Sequence, residues 1–279
     1  MKGVKARRPH LAFAAVFLGL LGAHSAGAGE PVAQVPPGSV VSWPGEGLES
    51  CSLGKTTWAP LDVTCLYAVD LLRGEGTLDL RRSRRGQRET VSIRVGAYPY
   101  PVQTLTLPKE KVDLSPEDLA RVRSESREIG RLWGRTAERR FTLPLHPPLD
   151  PLPEAGRFGS RRVINGQPRS PHSGADYSAE AGEPILAVAD GEVALADEHF
   201  FAGNSVFVDH GDGLISMYFH MSRILVQEGE IVRRGQAIGE VGATGRVTGP
   251  HLHFGLRWHG ARIDPGLLLG DPGGLPEIR

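Results

Sequence analysis

At 279 residues and 40% hydrophobic content, the chain is long enough for one large domain or two modest ones, each with its own core. Its 32 basic and 32 acidic residues cancel, which excludes the strong cationic field of a nucleic-acid binder. Thirty-six glycines and 22 prolines favour turns and short strands over long helices.

Residues 1–28 carry the pattern of a secretory signal. Lys2, Lys5, Arg7 and Arg8 precede the apolar run LAFAAVFLGLLGA, and Ala26 and Ala28 flank Gly27 as a small-residue cleavage site. The apolar run is short of the roughly 20 residues that a membrane-spanning helix needs. A retained anchor is the alternative. Export would take the chain to the periplasm or cell envelope, where two cysteines are expected to pair. Cys51 and Cys65 then form one disulfide.

Residues 29–110 alternate apolar and polar positions in short runs such as SVVSW, GTLDLRR and ETVSIRV, punctuated by Gly and Pro. A small antiparallel β-sandwich is expected there. The basic run RRSRRGQR (81–88) is expected at a solvated hairpin tip. Residues 111–140 hold the one clear helix. Ser115 caps it, Pro116 occupies its first turn, Asp118 completes an S-x-x-D box, and Leu119, Val122, Ile129 and Leu132 fall near one stripe. The Pro-rich stretch 141–155 reads as a linker. From residue 156 to 279 the pattern is again β, with Gly at nearly every turn. The fold class is therefore mainly β: an N-terminal sandwich plus one long helix, then a C-terminal antiparallel barrel or sandwich hybrid.

In GPHLHFGLRW (249–258), strand alternation puts His251 and His253 on one face and Leu252, Phe254, Leu256 and Trp258 on the other. His172 and Asp176 lie four apart in SPHSGADYSA, a turn-to-strand segment. Imidazole nitrogen and carboxylate oxygen both suit Zn²⁺, and hydrolytic zinc sites use three protein ligands and leave one position for water. His172, Asp176 and one of the two histidines at 251 and 253 would make such a set. His146, His199, His210 and His259 are expected at the surface, and DHGDG (209–213) in a hairpin turn.

Residues 156–265 resemble the lysostaphin-type zinc peptidases of family M23. The likeness rests on RFGSRRV, HSGADYS, ADGEV, GNSVFVDHGDG, MYFHMS, GQAIGEVGATGRVTGPHLHFGL and IDP, in that order. It implies the M23-type β domain, zinc held by His172, Asp176 and His253, and His220 and His251 as the catalytic pair. It also implies that Asn204 and Tyr218 line the groove, with Thr244 and Thr248 as weaker candidates. The implied activity is endopeptidase cleavage of peptidoglycan peptides, D-alanyl-diaminopimelate cross-links above all. Expected partners are peptidoglycan stem peptides and a regulatory envelope protein, with the chain itself a monomer. The alternative is a non-catalytic module that binds the wall or activates another wall hydrolase. A biotinyl- or lipoyl-type carrier is set aside: QEGEIVRRGQAIGEV has that rhythm, but no lysine follows Lys111. Since all five matched residues follow residue 170, deleting 29–140 is expected to change regulation or targeting rather than chemistry.

Overall fold

The structure, a computed structural model, describes residues 31–106, 114–156 and 158–279. The signal-sequence expectation for residues 1–28 lies outside the described residues.

The N-terminal half is two packed sheets. One has five strands in the order β1 (Gln34–Val35), β7 (Gln87–Val95), β6 (Gly76–Arg84), β3 (Leu48–Leu53) and β4 (Thr56–Trp58). The other is an antiparallel ribbon of β2 (Val40–Pro44) and β5 (Thr64–Ala68). Between them Val41, Trp43, Tyr67, Leu80, Ile93 and Val95 are buried. Cys51 of β3 and Cys65 of β5 form a disulfide across this core, with an S–S distance of 2.01 Å. The β6–β7 hairpin turns at Arg85 and Gly86, whose φ values of 51° and 74° suit a two-residue I′ turn. The basic run is thus a hairpin tip, except that Arg82 turns inward, onto the Trp43 ring and the Glu89 carboxylate.

The ribbon has a second buried face. Strand alternation sends Val40, Leu66 and Ala68 away from the first core and into a larger one. The chain terminus reinforces the join: the Ser42 N–H donates to the Pro276 carbonyl and the Ile278 N–H to the Ser42 carbonyl, each at 2.8 Å. Farther along, β8 (Val102–Leu105) pairs in parallel with β10 (Arg161–Ile164), which forms a hairpin with β11 (Gln167–Pro168).

The helix is shorter than its sequence pattern. α1 spans Pro116–Gly130, capped by the Ser115 side chain, which accepts from the Asp118 N–H. A 3-10 turn over Arg131–Gly134 ends it, and Arg135 is extended. Two glycines four apart, Gly130 and Gly134, weaken the helix where it must turn. No α1 residue is buried, so the stripe at Leu119 and Val122 covers no core. Leu132 and Ile129 do pack, against Ala194, Leu195, Phe207 and Met217 on the outer face of the main sheet.

The segment 141–155 is not a free linker. Phe141, Leu145 and Leu149 are buried in the larger core. The main sheet above that core runs β18 (Ile231–Val232), β14 (Gly191–His199), β15 (Gly203–Asp209), β16 (Leu214–Met221), β20 (Leu252–Trp258), β12 (Gly174–Tyr177) and β9 (Ala155–Gly156), with β21 (Ala261–Ile263) also on β20. A small sheet of β13 (Pro184–Leu186), β19 (Ala237–Glu240) and β17 (Arg223–Ile224) closes the other side.

Candidate metal centre

Strand β20 has the two faces that its alternation predicts. Leu252, Phe254, Leu256 and Trp258 are buried in the large core. His253 points the other way, its ring stacked on Phe219 of β16 with centroids 5.0 Å apart and planes 5° from parallel. One end of this outer face is covered, where Arg257 lies 4.1 Å over the Trp133 ring. The end at His253 borders an open groove.

Register brings the second segment to it. β12 pairs antiparallel with β20, Asp176 opposite His253 and Gly174 opposite Gly255. Just upstream, the Gly159 N–H donates to the His172 carbonyl and the His172 N–H to the Ser160 carbonyl, fixing the turn that aims His172 inward. His253 Nδ1 lies 2.9 Å from His172 Nε2 and 3.0 Å from Asp176 Oδ1. His172 Nε2 lies 3.0 Å from the same oxygen.

Three donors on one point suit a divalent cation. Ligand atoms about 2.0–2.2 Å from a tetrahedral zinc stand roughly 3.3–3.6 Å apart, so the triangle needs only a slight opening to accept one. Two imidazoles and a carboxylate are also a donor set typical of zinc. Burial alone would raise the Asp176 carboxyl, but hydrogen bonds from His172 and His253 hold it far below the usual carboxylate range. Burial lowers His253. Both groups thus favour their unprotonated, ligating forms.

Gly174 makes the close approach. A Cβ there would stand 2.5 Å from the Phe254 carbonyl oxygen and 2.6 Å from His253 Nε2. In the sequence Gly174 speaks against a helix between His172 and Asp176, and the close approach is the further reason for a glycine there.

His220 reaches the site through a bulge. Val206 faces Tyr218 and Asn204 faces Met221, so β16 carries one residue more than β15 between these pairs. His220 sits in that bulge at φ 68°, a left-handed conformation uncommon outside glycine. Strict alternation would put it on the core face with Tyr218. The bulge turns it out, 4.9 Å from the His251 ring by centroid. His220 Nδ1 lies 3.0 Å from the Thr244 carbonyl and His251 Nδ1 lies 2.9 Å from the Gly249 carbonyl. A carbonyl only accepts, so each Nδ1 carries the proton and each Nε2 is left as a base. His251 Nε2 lies 3.8 Å from Asp176 Oδ1. Burial pushes His220 down to about 4, which keeps it neutral at pH 7.

Tyr218 does not line the groove. It is fully buried in the core, its hydroxyl accepting from the Val188 N–H and from Ser216 Oγ at 3.0 Å each. β16 is a central strand covered on both faces, so polarity in its sequence does not mark exposure. Asn204 holds the bulge: its amide nitrogen donates to the Met221 and Ser222 carbonyls at 3.1 and 3.4 Å. Thr244 bridges the same turn, accepting from the Asn204 N–H and donating to the Met221 carbonyl. Thr248 and His251 line a groove of about 360 Å³ with Asp176, Ser178 and Glu154. His210 and His199 are buried, not at the surface. His210 lies between the Asp190 carbonyl and Ser216 Oγ, and His199 Nδ1 meets Ser205 Oγ.

A mainly β scaffold thus gathers two histidines and an aspartate, a donor set that could hold a metal ion, beside two further imidazoles. Residues 170–265 match the sequence profile of peptidase family M23. A solved structure from Pseudomonas aeruginosa, described as peptidase M23, is 31% identical and superposes with a TM-score of 0.65, covering 84% of this chain and 94% of that one. The chain belongs to peptidase family M23. Among curated relatives, peptidoglycan DD-endopeptidase ShyC of Vibrio cholerae is 41% identical over 134 residues, 47% of this chain and 30% of the relative. Peptidoglycan DD-endopeptidase ShyA of the same organism is 44% identical over 95 residues, 34% of this chain and 22% of the relative. The matches thus span under a third of these relatives' own lengths.

Proposed function

We propose that the chain is an exported zinc endopeptidase that hydrolyses peptide cross-links of peptidoglycan in the cell envelope, with D-alanyl-diaminopimelate bonds as its substrate. The observation that carries this reading is the meeting of His172 Nε2, Asp176 Oδ1 and His253 Nδ1 within 3.0 Å of one another, beside two imidazoles with available Nε2 atoms. The names of the DD-endopeptidase relatives support the choice of bond, and the pattern of residues 1–28 supports export.

His172, Asp176 and His253 would hold the zinc. When bound, zinc lowers the pKa of a coordinated water to about 7 and polarises the scissile carbonyl. His220 and His251 do the remaining work. A neutral imidazole with Nδ1–H tied to a backbone carbonyl accepts the attacking water's proton at Nε2 and returns it to the leaving amine nitrogen. The imidazole that has taken up this proton points it, as Nε2–H, toward the oxygen on which negative charge develops before handing it to the amine. The two histidines share these tasks.

The test is incubation of purified, zinc-loaded protein with cross-linked muropeptide dimers, with and without chelator, read by mass analysis of products. Monomers carrying a free D-alanine end, abolished by chelation and by His253→Ala, are expected. Absence of cleavage by the zinc-replete protein overturns the peptidase reading in favour of a wall-binding or activator module.

A further inference from the structure

The hairpin before His172 carries like charges opposite each other. Val163 faces Pro168 and Ile164 faces Gln167, and the Arg169 N–H donates to the Arg162 carbonyl at 2.9 Å. Arg162 and Arg169 are therefore the next facing pair. Residues so placed stand about 5 Å apart at Cβ, and like charges there are destabilising. Both side chains are exposed.

Arg246 is the third cation, on the loop that carries Thr244 and leads to His251. Its guanidinium lies 4.1 Å over the Phe201 ring and its backbone N–H donates to the Phe201 carbonyl. Burial is the main cause that lowers its pKa, and the positive charges of Arg169 and Arg162 lower it further. The three cations thus feel one another. Among the described residues, none of the three forms an ion pair with a carboxylate. Three arginines packed between the two halves or against the main sheet are by contrast matched: Arg135 with Asp209 and Glu192, Arg139 with Asp212, and Arg262 with Asp70.

Their position is specific. Arg169 lies three residues before His172. Arg246 lies between Thr244 and Gly249, whose carbonyls hold the His220 and His251 rings. The unmatched charge therefore borders both segments that build the centre.

We propose that Arg162, Arg169 and Arg246 form a subsite for free carboxylates of the substrate peptide, and so select acidic stem peptides. This rests on the peptidoglycan reading above. Guanidinium forks match carboxylates bidentately, and an entering anion relieves the repulsion within the cluster. The subsite fixes the peptide beside the centre and takes no part in proton transfer.

The experiment compares wild type, R246Q, R246K and R162Q/R169Q as full chains on two cross-linked muropeptide dimers, one with free stem carboxylates and one with these amidated. Zinc content is measured for each. On the free-acid dimer, R246Q and the double variant are expected to raise KM about tenfold. kcat should change less than about twofold, zinc content should hold, and R246K should recover part of the loss. Wild type should show the raised KM on the amidated dimer, and the substitutions should add nothing there. Equal effects on both dimers, or none, overturn the subsite. A second arm measures equilibrium binding of a dye-labelled free-acid stem peptide, with inorganic phosphate as competitor. Loss of binding in the variants supports the subsite, and no loss overturns it. Complete displacement of the peptide by phosphate at equal concentration overturns the carboxylate assignment. Failure of wild type to cleave either dimer counts against the peptidase reading alone, since the binding arm still decides the subsite.

Discussion

Replacing Gly174 with alanine probes the metal centre through its backbone. The added methyl carbon would stand 2.5 Å from the Phe254 carbonyl oxygen, 2.6 Å from His253 Nε2 and 2.9 Å from His253 Cε1. Ordinary contact begins at 3.4 Å, so relief requires about 0.9 Å of movement. The Phe254 carbonyl belongs to a central strand flanked by β16 and β12 and cannot yield cheaply. The His253 ring can turn, but turning takes Nδ1 away from His172 and Asp176. Overpacking of this kind costs about 1–3 kcal/mol, and each kcal/mol lowers Tm by roughly 2–4 °C in a protein of this size. A ligand misplaced by about 1 Å costs on the order of 100-fold in turnover. The assay is zinc content after dialysis, thermal unfolding, and the rate on cross-linked muropeptides. A Gly174→Ala protein that keeps one zinc and its full rate would refute the close-approach argument.

Single replacement of His220 or His251 by alanine is expected to keep zinc and lower turnover by about 10²–10⁴-fold, as loss of a general acid or base does; metal analysis beside rate measurement checks it. Stability should fall in mild acid because of His210. Burial lowers its pKa from 6.5 to about 4 in the folded chain, so the unfolded chain takes up the proton first. Stability is then complete above pH 6.5 and declines toward pH 4, by up to about 3 kcal/mol for this group. Urea midpoints across that range should fall less steeply in His210→Gln; an unchanged slope would assign the acid sensitivity elsewhere. A fragment of residues 141–279 is expected to fold poorly, because it loses Val40, Leu66 and Ala68 from the larger core. At about 1.5–3 kcal/mol for each of the two larger side chains, the loss of about 3–6 kcal/mol is comparable to the lower end of an ordinary domain's stability of about 5–15 kcal/mol. A soluble fragment with a cooperative transition and bound zinc would contradict this and restore the view that the N-terminal half is dispensable for chemistry.

The local parts of the site were legible in the sequence, and its assembly was not. Alternation alone placed Leu252, Phe254, Leu256 and Trp258 inside and His253 outside. Nothing local says that Asp176 faces His253, because that register joins residues 77 apart; only the family resemblance supplied the pairing. Alternation was misleading at His220, where the extra residue in β16 reverses the face. It was uninformative at Tyr218, His210 and His199, polar residues whose burial is permitted by hydrogen-bond partners on the same or neighbouring strands and, for Tyr218 and His210, at Val188 and Asp190 as well. The capping box fixed the start of α1 and Gly130 and Gly134 mark where it turns, while the contacts of Leu132 with the main sheet are announced by no cap. The proline-rich stretch 141–155 looked detached, because proline content reports backbone freedom and not where Phe141, Leu145 and Leu149 are buried.

The β2–β5 ribbon is a party wall: one pair of strands encloses a compartment on either side. A disturbance at Val41 or Tyr67 lies one peptide unit from Val40, Leu66 or Ala68, and so from the floor beneath the catalytic sheet. The two halves therefore cannot part like a box and its lid.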